Sequence, residues 1–112
     1  MNKQTVNCQT LQEMMDNKIN LVLLDVRDVE KFQSGSLQSD LYETHNIPYM
    51  MMKESDEPLD PKTAHLWKDK QIVTLCTSGN KAQKAAALLR EKGFQAVALL
   101  GGLTAWREKQ ND

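Results

Sequence analysis

The chain has 112 residues, of which 40% are apolar and 26% are charged, and its formal net charge is −1. This length and composition predict one soluble domain over residues 1–112 that can fold without a disulfide or a structural metal. The near-zero charge predicts no nucleic-acid partner, and no apolar run approaches the roughly 20 residues that span a membrane. Because the start of the chain lacks the apolar core of a secretory signal and the chain has only two cysteines, we expect a cytoplasmic protein with reduced thiols.

The first part of the chain predicts a helix followed by a buried strand. Thr10 and Glu13 have the spacing of a capping box, so we expect a short helix with Thr10 as its N-cap and its end near Lys18. The apolar run from Leu21 to Val26 is typical of a strand that is buried on both faces of a parallel sheet.

The segment 34–61 is the least regular part of the sequence. It is polar and holds all three prolines of the chain, so we expect a long excursion with one extended stretch at 46–50. The three methionines at 50–52 are expected to pack beneath this loop or, alternatively, to form an adaptable docking surface for a partner protein. Asp60 then predicts the N-cap of a short helix over residues 61–68, with proline at its first position.

The rest of the chain predicts a strand, a helix and a second strand, followed by a closing helix. The strands are expected at 71–75 and 95–100, because both repeat the apolar pattern of the first strand. The helix between them is expected at 81–92 and stops at Gly93, and the closing helix is expected at 103–109. We therefore predict an α/β fold, with a central parallel sheet flanked by helices on both faces.

Cys76 follows the predicted strand 71–75, at the sheet edge where open α/β proteins bind their ligands. The next four residues, TSGN, can form a tight turn because glycine and asparagine tolerate positive φ. A tight turn that leads into a helix aims successive backbone N–H groups at one point, which favours a reactive thiolate. Lys81 and Lys84 add positive charge where a helix start ordinarily favours negative residues, as expected if an anion binds there. A lone cysteine is more often a small buried residue than a nucleophile, but this context favours the nucleophile.

Three segments of the chain resemble motifs of the rhodanese-like sulfurtransferases. Residues 76–82, CTSGNKA, resemble the active-site loop of that family, C-x-x-G-x-R-[ST]. Residues 23–27, LLDVR, followed by Glu30 and Phe32, resemble its opening element, and residues 93–106 resemble its closing strand and G-G-x-x-A-W segment. These segments occur in the family's order over nearly the whole chain, so the chain is identified as a member of this family.

The chain also departs from the family pattern at the loop and before it. Lys81 keeps the positive charge of the usual arginine but not its bidentate fork, and Ala82 replaces the usual hydroxyl residue. The element G-H-I-x-G-A-x-N-I-P is only partly present, as Gly35 and residues 45–48, with its spacing stretched by residues 36–44.

The resemblance implies a rhodanese-like fold and sulfur transfer through a persulfide on Cys76, with no cofactor and no metal. A sulfane-sulfur donor, either thiosulfate or a persulfide, gives its outer sulfur to the Cys76 thiolate, and a small thiophilic or protein acceptor then removes it. Lys81 attracts anionic donors. The residues whose backbone N–H groups are expected to hold the terminal sulfur are Thr77, Ser78, Gly79, Asn80, Lys81 and Ala82.

Other polar residues carry less specific expectations. Asp25, at the end of its strand, is expected to orient the cysteine loop by accepting backbone N–H bonds. Arg27 is either a substrate contact or a surface salt-bridge partner. Cys8 is expected to be a partly buried bystander rather than a disulfide partner of the loop cysteine, and His45 and His65 lack metal-ligand spacing.

The residues by themselves leave two alternative functions open. Tyrosine-phosphatase-like and arsenate-reductase-like enzymes use a related loop, but they have arginine six positions after the nucleophile, where this chain has Ala82, and their loop is one residue longer. The other alternative is a non-catalytic module that docks a partner protein or senses oxidants or persulfides at Cys76, because Lys81 stands in place of the usual arginine.

Overall fold

A computed structural model of the protein describes residues 4–110, and residues 1–3 and 111–112 of the predicted domain lie outside this range. Its elements, in chain order, are β1 (Thr5–Val6), α1 (Cys8–Asp16), β2 (Leu21–Asp25), α2 (Val29–Gln33), β3 (Thr44–Asn46), α3 (Tyr49–Glu54), α4 (Pro61–Trp67), β4 (Gln71–Leu75), α5 (Asn80–Glu91), β5 (Gln95–Leu99) and α6 (Gly102–Gln110). Within this range the strands form one parallel sheet in the order β1-β5-β4-β2-β3. Helices cover both faces of the sheet, so the predicted α/β fold is confirmed.

The central strands are buried on both faces because alternate side chains point to opposite sides of a strand. The strand residues that pack on the side of α3, α4 and α5 are Val22, Leu24, Ile72, Ala96 and Ala98. Those that pack on the side of α1 and α6 are Leu21, Leu23, Val73, Leu75 and Leu99. The uninterrupted apolar runs seen in the sequence therefore supply two cores at once.

Most elements of the second half have the predicted bounds to within one residue. β4 is found where it was expected, and β5 ends at Leu99, one residue early. The helix α5 begins at Asn80 and stops before Gly93, whose φ of +89° ends a helix readily. At α4, the side chain of Asp60 accepts a hydrogen bond from the backbone N–H of Thr63 at 2.8 Å, which confirms it as the N-cap.

The predicted start of α1 is wrong. Asn7, rather than Thr10, is the N-cap, and its side-chain oxygen accepts a hydrogen bond from the backbone N–H of Thr10 at 2.7 Å. The helix ends at Asp16, because Lys18 takes a left-handed φ of +55°. Both asparagine and threonine are good N-caps, and β1 decides between them, because its pairing with β5 fixes where the chain turns into the helix.

The segment 34–61 is more regular than predicted. It contains the short strand β3 and the helix α3, and α2 precedes it, also without a prediction. The backbone N–H of Tyr49 donates to the carbonyl of Val26 at 2.9 Å, which fixes the start of α3 at the carboxyl edge of the sheet. Of the three methionines, only Met52 is buried, while Met50 and Met51 are exposed, so packing beneath the loop is confirmed for one of them. None of the helices within residues 4–110 is long and apolar enough to cross a membrane.

Candidate active site

Cys76 is the first residue after β4, and its side chain lies almost wholly inside the protein, with 3% of the residue exposed. Its Sγ accepts hydrogen bonds from the backbone N–H groups of Gly79, at 3.0 Å, and Ala82, at 3.3 Å. Gly79 has a φ of +104°, a conformation that other residues rarely adopt, and this turn brings the loop back over the sulfur. The chain therefore wraps around one sulfur atom with N–H groups pointing inward.

The helix α5 adds to the positive potential at this sulfur. It begins within the loop, and Ala82, one of the two donors to Sγ, lies in its first turn, where N–H groups have no partner inside the helix. The positive end of the helix dipole therefore points toward the sulfur. Lys81 lies exposed on this first turn and Lys84 lies exposed just after it, where both can meet an anion arriving from solvent.

Two of the six loop residues predicted to hold sulfur are thus placed at Sγ, namely Gly79 and Ala82. Thr77 and Ser78 are exposed, as are Asn80 and Lys81. The binding roles of these four residues stay predictions.

A support behind the loop was missed by sequence reasoning. The first N–H groups of α6 reach the back of the loop: Leu103 donates to the carbonyl of Cys76 at 2.8 Å, and Thr104 donates to the carbonyl of Thr77 at 3.1 Å. Gly102, at the first position of α6, lies against the same two carbonyls. The signal in the sequence was the pair Gly101 and Gly102 near the end of the last strand. The pair belongs to the segment that resembles the family's G-G-x-x-A-W motif, but no role was predicted for it.

The expectation that Asp25 orients the cysteine loop is wrong. Its carboxylate is fully buried and accepts hydrogen bonds from the backbone and side chain of Arg27, at 2.7–3.1 Å, and from the hydroxyl of Ser36, at 2.7 Å. Among the hydrogen bonds of the described residues, none joins this carboxylate to residues 77–82. The link between the two strand ends is made by the backbone instead, where the N–H of Val26 donates to the carbonyl of Leu75 at 2.9 Å.

Arg27 is not a surface residue, which corrects one of the two expectations for it. It is 6% exposed, its guanidinium pairs with Asp25, and it also donates to the carbonyl of Gly35 at 2.6 Å. Arg107 of α6 donates to the same carbonyl at 3.2 Å. Both arginines thus hold the chain where it leaves α2. A contact between Arg27 and a substrate stays a prediction, and in this structure its side chain is directed toward Asp25 and Gly35.

The two cysteines lie on opposite sides of the sheet. Cys76 belongs to the core beneath α5, while Cys8, which is half-buried, packs against the core beneath α1 and α6. Burial raises the pKa of the Cys8 thiol, with a smaller opposing effect of the charge on Lys109. Both thiols are free, and the fold keeps Cys8 away from the loop, as expected for a bystander.

A large cavity lies elsewhere in the part of the chain that the structure describes. It has a volume of about 920 Å³, opens between α1, α6 and the segment 32–44, and includes Phe32 and Trp106 in its wall. None of the loop residues 76–82 lines it. Within residues 4–110, no group of three or more His, Cys, Asp or Glu side chains is arranged to hold a metal ion.

Comparison with known proteins identifies the family. The profile of the rhodanese-like domain matches residues 7–109, so the chain belongs to the rhodanese-like domain family. This confirms the resemblance read from the three sequence motifs.

Relatives and solved structures agree with this assignment. The adenylyltransferase and sulfurtransferase MOCS3-1 of Zea mays is 36% identical over 102 residues, which cover 90% of this chain and 21% of that protein. The thiosulfate sulfurtransferase GlpE of Pseudoalteromonas translucida (strain TAC 125) is 37% identical over 101 residues, which cover 88% of this chain and 82% of GlpE. The crystal structure of a rhodanese-related protein from Thermoplasma volcanium matches with a TM-score of 0.73 and 25% identity, covering 95% of this chain and 92% of that one. The chain thus spans about a fifth of the length of the maize protein.

Proposed function

We propose that this protein is a sulfurtransferase that carries sulfane sulfur on Cys76. The observation that carries the proposal is the pair of backbone N–H groups, of Gly79 and Ala82, that both donate to the Cys76 sulfur at the carboxyl edge of the sheet. Donors arranged in this way favour negative charge on sulfur, first on the thiolate and then on a persulfide. Relatives named as sulfurtransferases support the same activity.

The first half-reaction loads the enzyme. The Cys76 thiolate attacks the outer sulfur of the donor and forms a new S–S bond, while the old bond to that sulfur breaks. The bonding electrons leave with sulfite if the donor is thiosulfate, or with a thiolate if the donor is a persulfide. The product is Cys76–S–S⁻, and Gly79 and Ala82 are the nearest fixed donors for its negative charge.

The second half-reaction removes the carried sulfur from Cys76. A nucleophilic acceptor, either a small thiophile or a protein thiolate, attacks the terminal sulfur, and the Cys76 thiolate leaves and is ready for another cycle. No cofactor is needed, because each step exchanges one nucleophile for another at sulfur.

The donor that fits this site best is a protein or low-molecular-weight persulfide rather than thiosulfate. Lys81 is exposed and lacks the bidentate fork of arginine, so it attracts an anion without gripping two oxygens of a small dianion. We therefore expect weak affinity for thiosulfate, and a Michaelis constant for thiosulfate in the micromolar range would contradict this preference.

The cytoplasmic location expected from the sequence also stays a prediction.

The test is the intact mass of the protein after incubation with thiosulfate and, separately, with glutathione persulfide. We expect the mass to rise by one sulfur atom in the natural protein and in Cys8→Ser, which removes only the bystander thiol. We expect no gain in Cys76→Ser. Sulfur uptake that survives Cys76→Ser but not Cys8→Ser would place the chemistry at the wrong cysteine and overturn the proposal.

A docking or sensing module is the second candidate, and the substitution of lysine for the usual arginine at position 81 favours it. The same experiment separates the two functions. If neither donor adds sulfur to folded protein while an oxidant still modifies Cys76, the module replaces the enzyme as the better account.

A further inference from the structure

The loop around Cys76 must keep two kinds of backbone group apart. Its N–H groups point at the sulfur, so its carbonyls have to point away, and a carbonyl that swung toward the sulfur would repel a thiolate or persulfide. In the structure the carbonyls of Cys76 and Thr77 point to the opposite side, where the N–H groups of Leu103 and Thr104 bind them at 2.8 and 3.1 Å.

These two N–H groups belong to the first turn of α6, where a helix leaves its N–H groups without partners. The N–H group of Ala105 donates to the carbonyl of Gly101, just before α6, whereas those of Leu103 and Thr104 donate to the loop. The helix therefore completes its own N-terminus with carbonyls of the loop, and it holds those carbonyls in a fixed direction.

Gly102 is what allows α6 to come so close. A Cβ atom at this position would collide with the carbonyl oxygen of Cys76, and it would lie 2.6 Å from the carbonyl oxygen of Thr77 and 2.7 Å from its carbonyl carbon. All these atoms are backbone, so no side chain can move aside to make room. Gly102 also has a φ of +62°, so it meets two separate demands, for left-handed backbone and for empty space.

We propose that Gly102 is a positioning residue for Cys76: its missing side chain lets the first turn of α6 hold the carbonyls of Cys76 and Thr77 away from the sulfur, which keeps the N–H groups of Gly79 and Ala82 aimed at it. The inference rests on the proposed function and goes beyond it, because Gly102 does not touch the sulfur. Gly79 links the two sides further, since its own Cβ position lies 3.3 Å from the backbone nitrogen of Gly101.

The structure offers a matched control in Gly93. It also has positive φ, +89°, but nothing lies within 4 Å of its Cβ position. Alanine at either site strains the backbone, and asparagine relieves much of that strain because it tolerates left-handed φ. At Gly102, but not at Gly93, the Cβ atom of either alanine or asparagine collides with the loop around Cys76. The four variants Gly93→Ala, Gly93→Asn, Gly102→Ala and Gly102→Asn therefore separate strain from collision.

The measured quantity is the rate constant, per folded molecule, for single-turnover sulfur loading of Cys76 at saturating glutathione persulfide. A lower rate constant in the Gly102 variants would show that the sulfur site is disturbed. If Gly102 had only a structural role, its variants would lower the folded fraction, which circular dichroism measures, and leave the rate constant unchanged. We expect both Gly102 variants to load about 10- to 100-fold more slowly, less than the roughly 100- to 1,000-fold loss when an oxyanion donor is removed outright, because the donors are displaced rather than deleted. We expect both Gly93 variants to load at the natural rate. A natural rate in Gly102→Ala, or full recovery in Gly102→Asn, would overturn the proposal.

A second pair of variants decides the matter if the Gly102 variants do not fold. Thr104→Pro removes the N–H group that binds the Thr77 carbonyl, at a first-turn position whose N–H group has no partner inside the helix, and Thr104→Ala keeps that N–H group. Thr104 is exposed, so neither change disturbs the core. We expect slower loading in Thr104→Pro alone, and equal rates in the two variants would overturn the proposal.

Alkylation separates this inference from the proposed function. In a Cys8→Ser background, iodoacetamide reports on Cys76 alone, whether or not the protein transfers sulfur. If the natural protein accepts no sulfur but Gly102→Ala slows alkylation by the same 10-fold or more, the proposed function fails and the positioning role stands. If sulfur loading occurs and Gly102→Ala changes neither rate, the positioning role fails and the function stands.

Discussion

The ends of β2 and β4 lie side by side at the same edge of the sheet, with Asp25 in register with Leu75, yet they are built in opposite ways. At the end of β2, the Asp25 carboxylate is held mainly by the side chains of Arg27 and Ser36, together with one backbone N–H group, that of Arg27. At the end of β4, the Cys76 sulfur is held by backbone N–H groups alone.

This difference separates a structural site from the proposed reactive one. Arg27 and Asp25 satisfy each other inside the protein, so neither charge is available to a substrate without breaking a buried pair. The cations beside Cys76, Lys81 and Lys84, are instead exposed, and the backbone donors carry no net charge that would neutralise a persulfide. The end of β2 thus fixes the edge of the sheet, and the end of β4 is the proposed site of the chemistry.

The largest expected effect tests the structural end. Asp25→Ala leaves the Arg27 guanidinium buried without its partner, so we expect the free energy of unfolding to fall by about 3–5 kcal/mol. Urea denaturation measures the change. The control is Asp28→Ala, because Asp28 is exposed and its side chain makes no capping hydrogen bond, and we expect almost no effect from it.

The same variant also tests whether the two strand ends are independent. If Asp25 is only structural, the folded fraction of Asp25→Ala should alkylate Cys76 at the natural rate. A large loss of that rate, with the protein still folded, would mean that the two strand ends work as one site.

A smaller effect tests the reactive end. Lys81→Ala removes an exposed cation at the start of α5, so we expect reaction of Cys76 with anionic donors to slow by about 2- to 5-fold at low salt. The loss should shrink at high salt, because mobile ions screen exposed charges. Lys92→Ala, at the far end of the same helix, is the matched control. Equal slowing at low and high salt would show that Lys81 acts through structure rather than charge.

The smallest effect concerns an exposed carboxylate that, unlike Asp25, caps a helix. Hydrogen bonds from the backbone and side chain of Thr63 hold the pKa of Asp60 below its ordinary value of 3.8. The carboxylate therefore stabilises the fold above that value, and the contribution is lost as the pH falls through the lowered pKa of the folded state. We expect Asp60→Ala to be less stable than the natural protein at pH 7, by thermal denaturation, with the difference shrinking below pH 3.8.

Asp60→Asn is the control for this prediction, because asparagine caps a helix equally well but does not titrate in this range. It should keep most of the stability at pH 7 and lose the pH dependence. A gap between Asp60→Ala and the natural protein that grows on acidification would contradict the assignment.

Sequence reasoning reached the fold and the position of the cysteine, but it misjudged contacts made over long distances. Strand β4 and the turn at Gly79 follow from local patterns, and they were placed correctly. The N-cap of α1 was misplaced because the spacing of Thr10 and Glu13 is a local pattern, whereas the pairing of β1 with β5 makes the chain turn into the helix earlier, at Asn7. The helix α3 was missed because its first turn is fixed by a contact with Val26, more than 20 residues earlier.

The sequence by itself determined that the protein has an α/β fold and that Cys76 ends a buried strand before a tight turn, because apolar runs and turn residues act locally. Only the tertiary structure decided which N–H groups reach the sulfur, that Asp25 binds Arg27 and Ser36 rather than the loop, and that Gly102 lies against the Cys76 carbonyl. These arrangements join segments that are distant in the chain, and their geometry is set by the packing of α5 and α6 against the sheet.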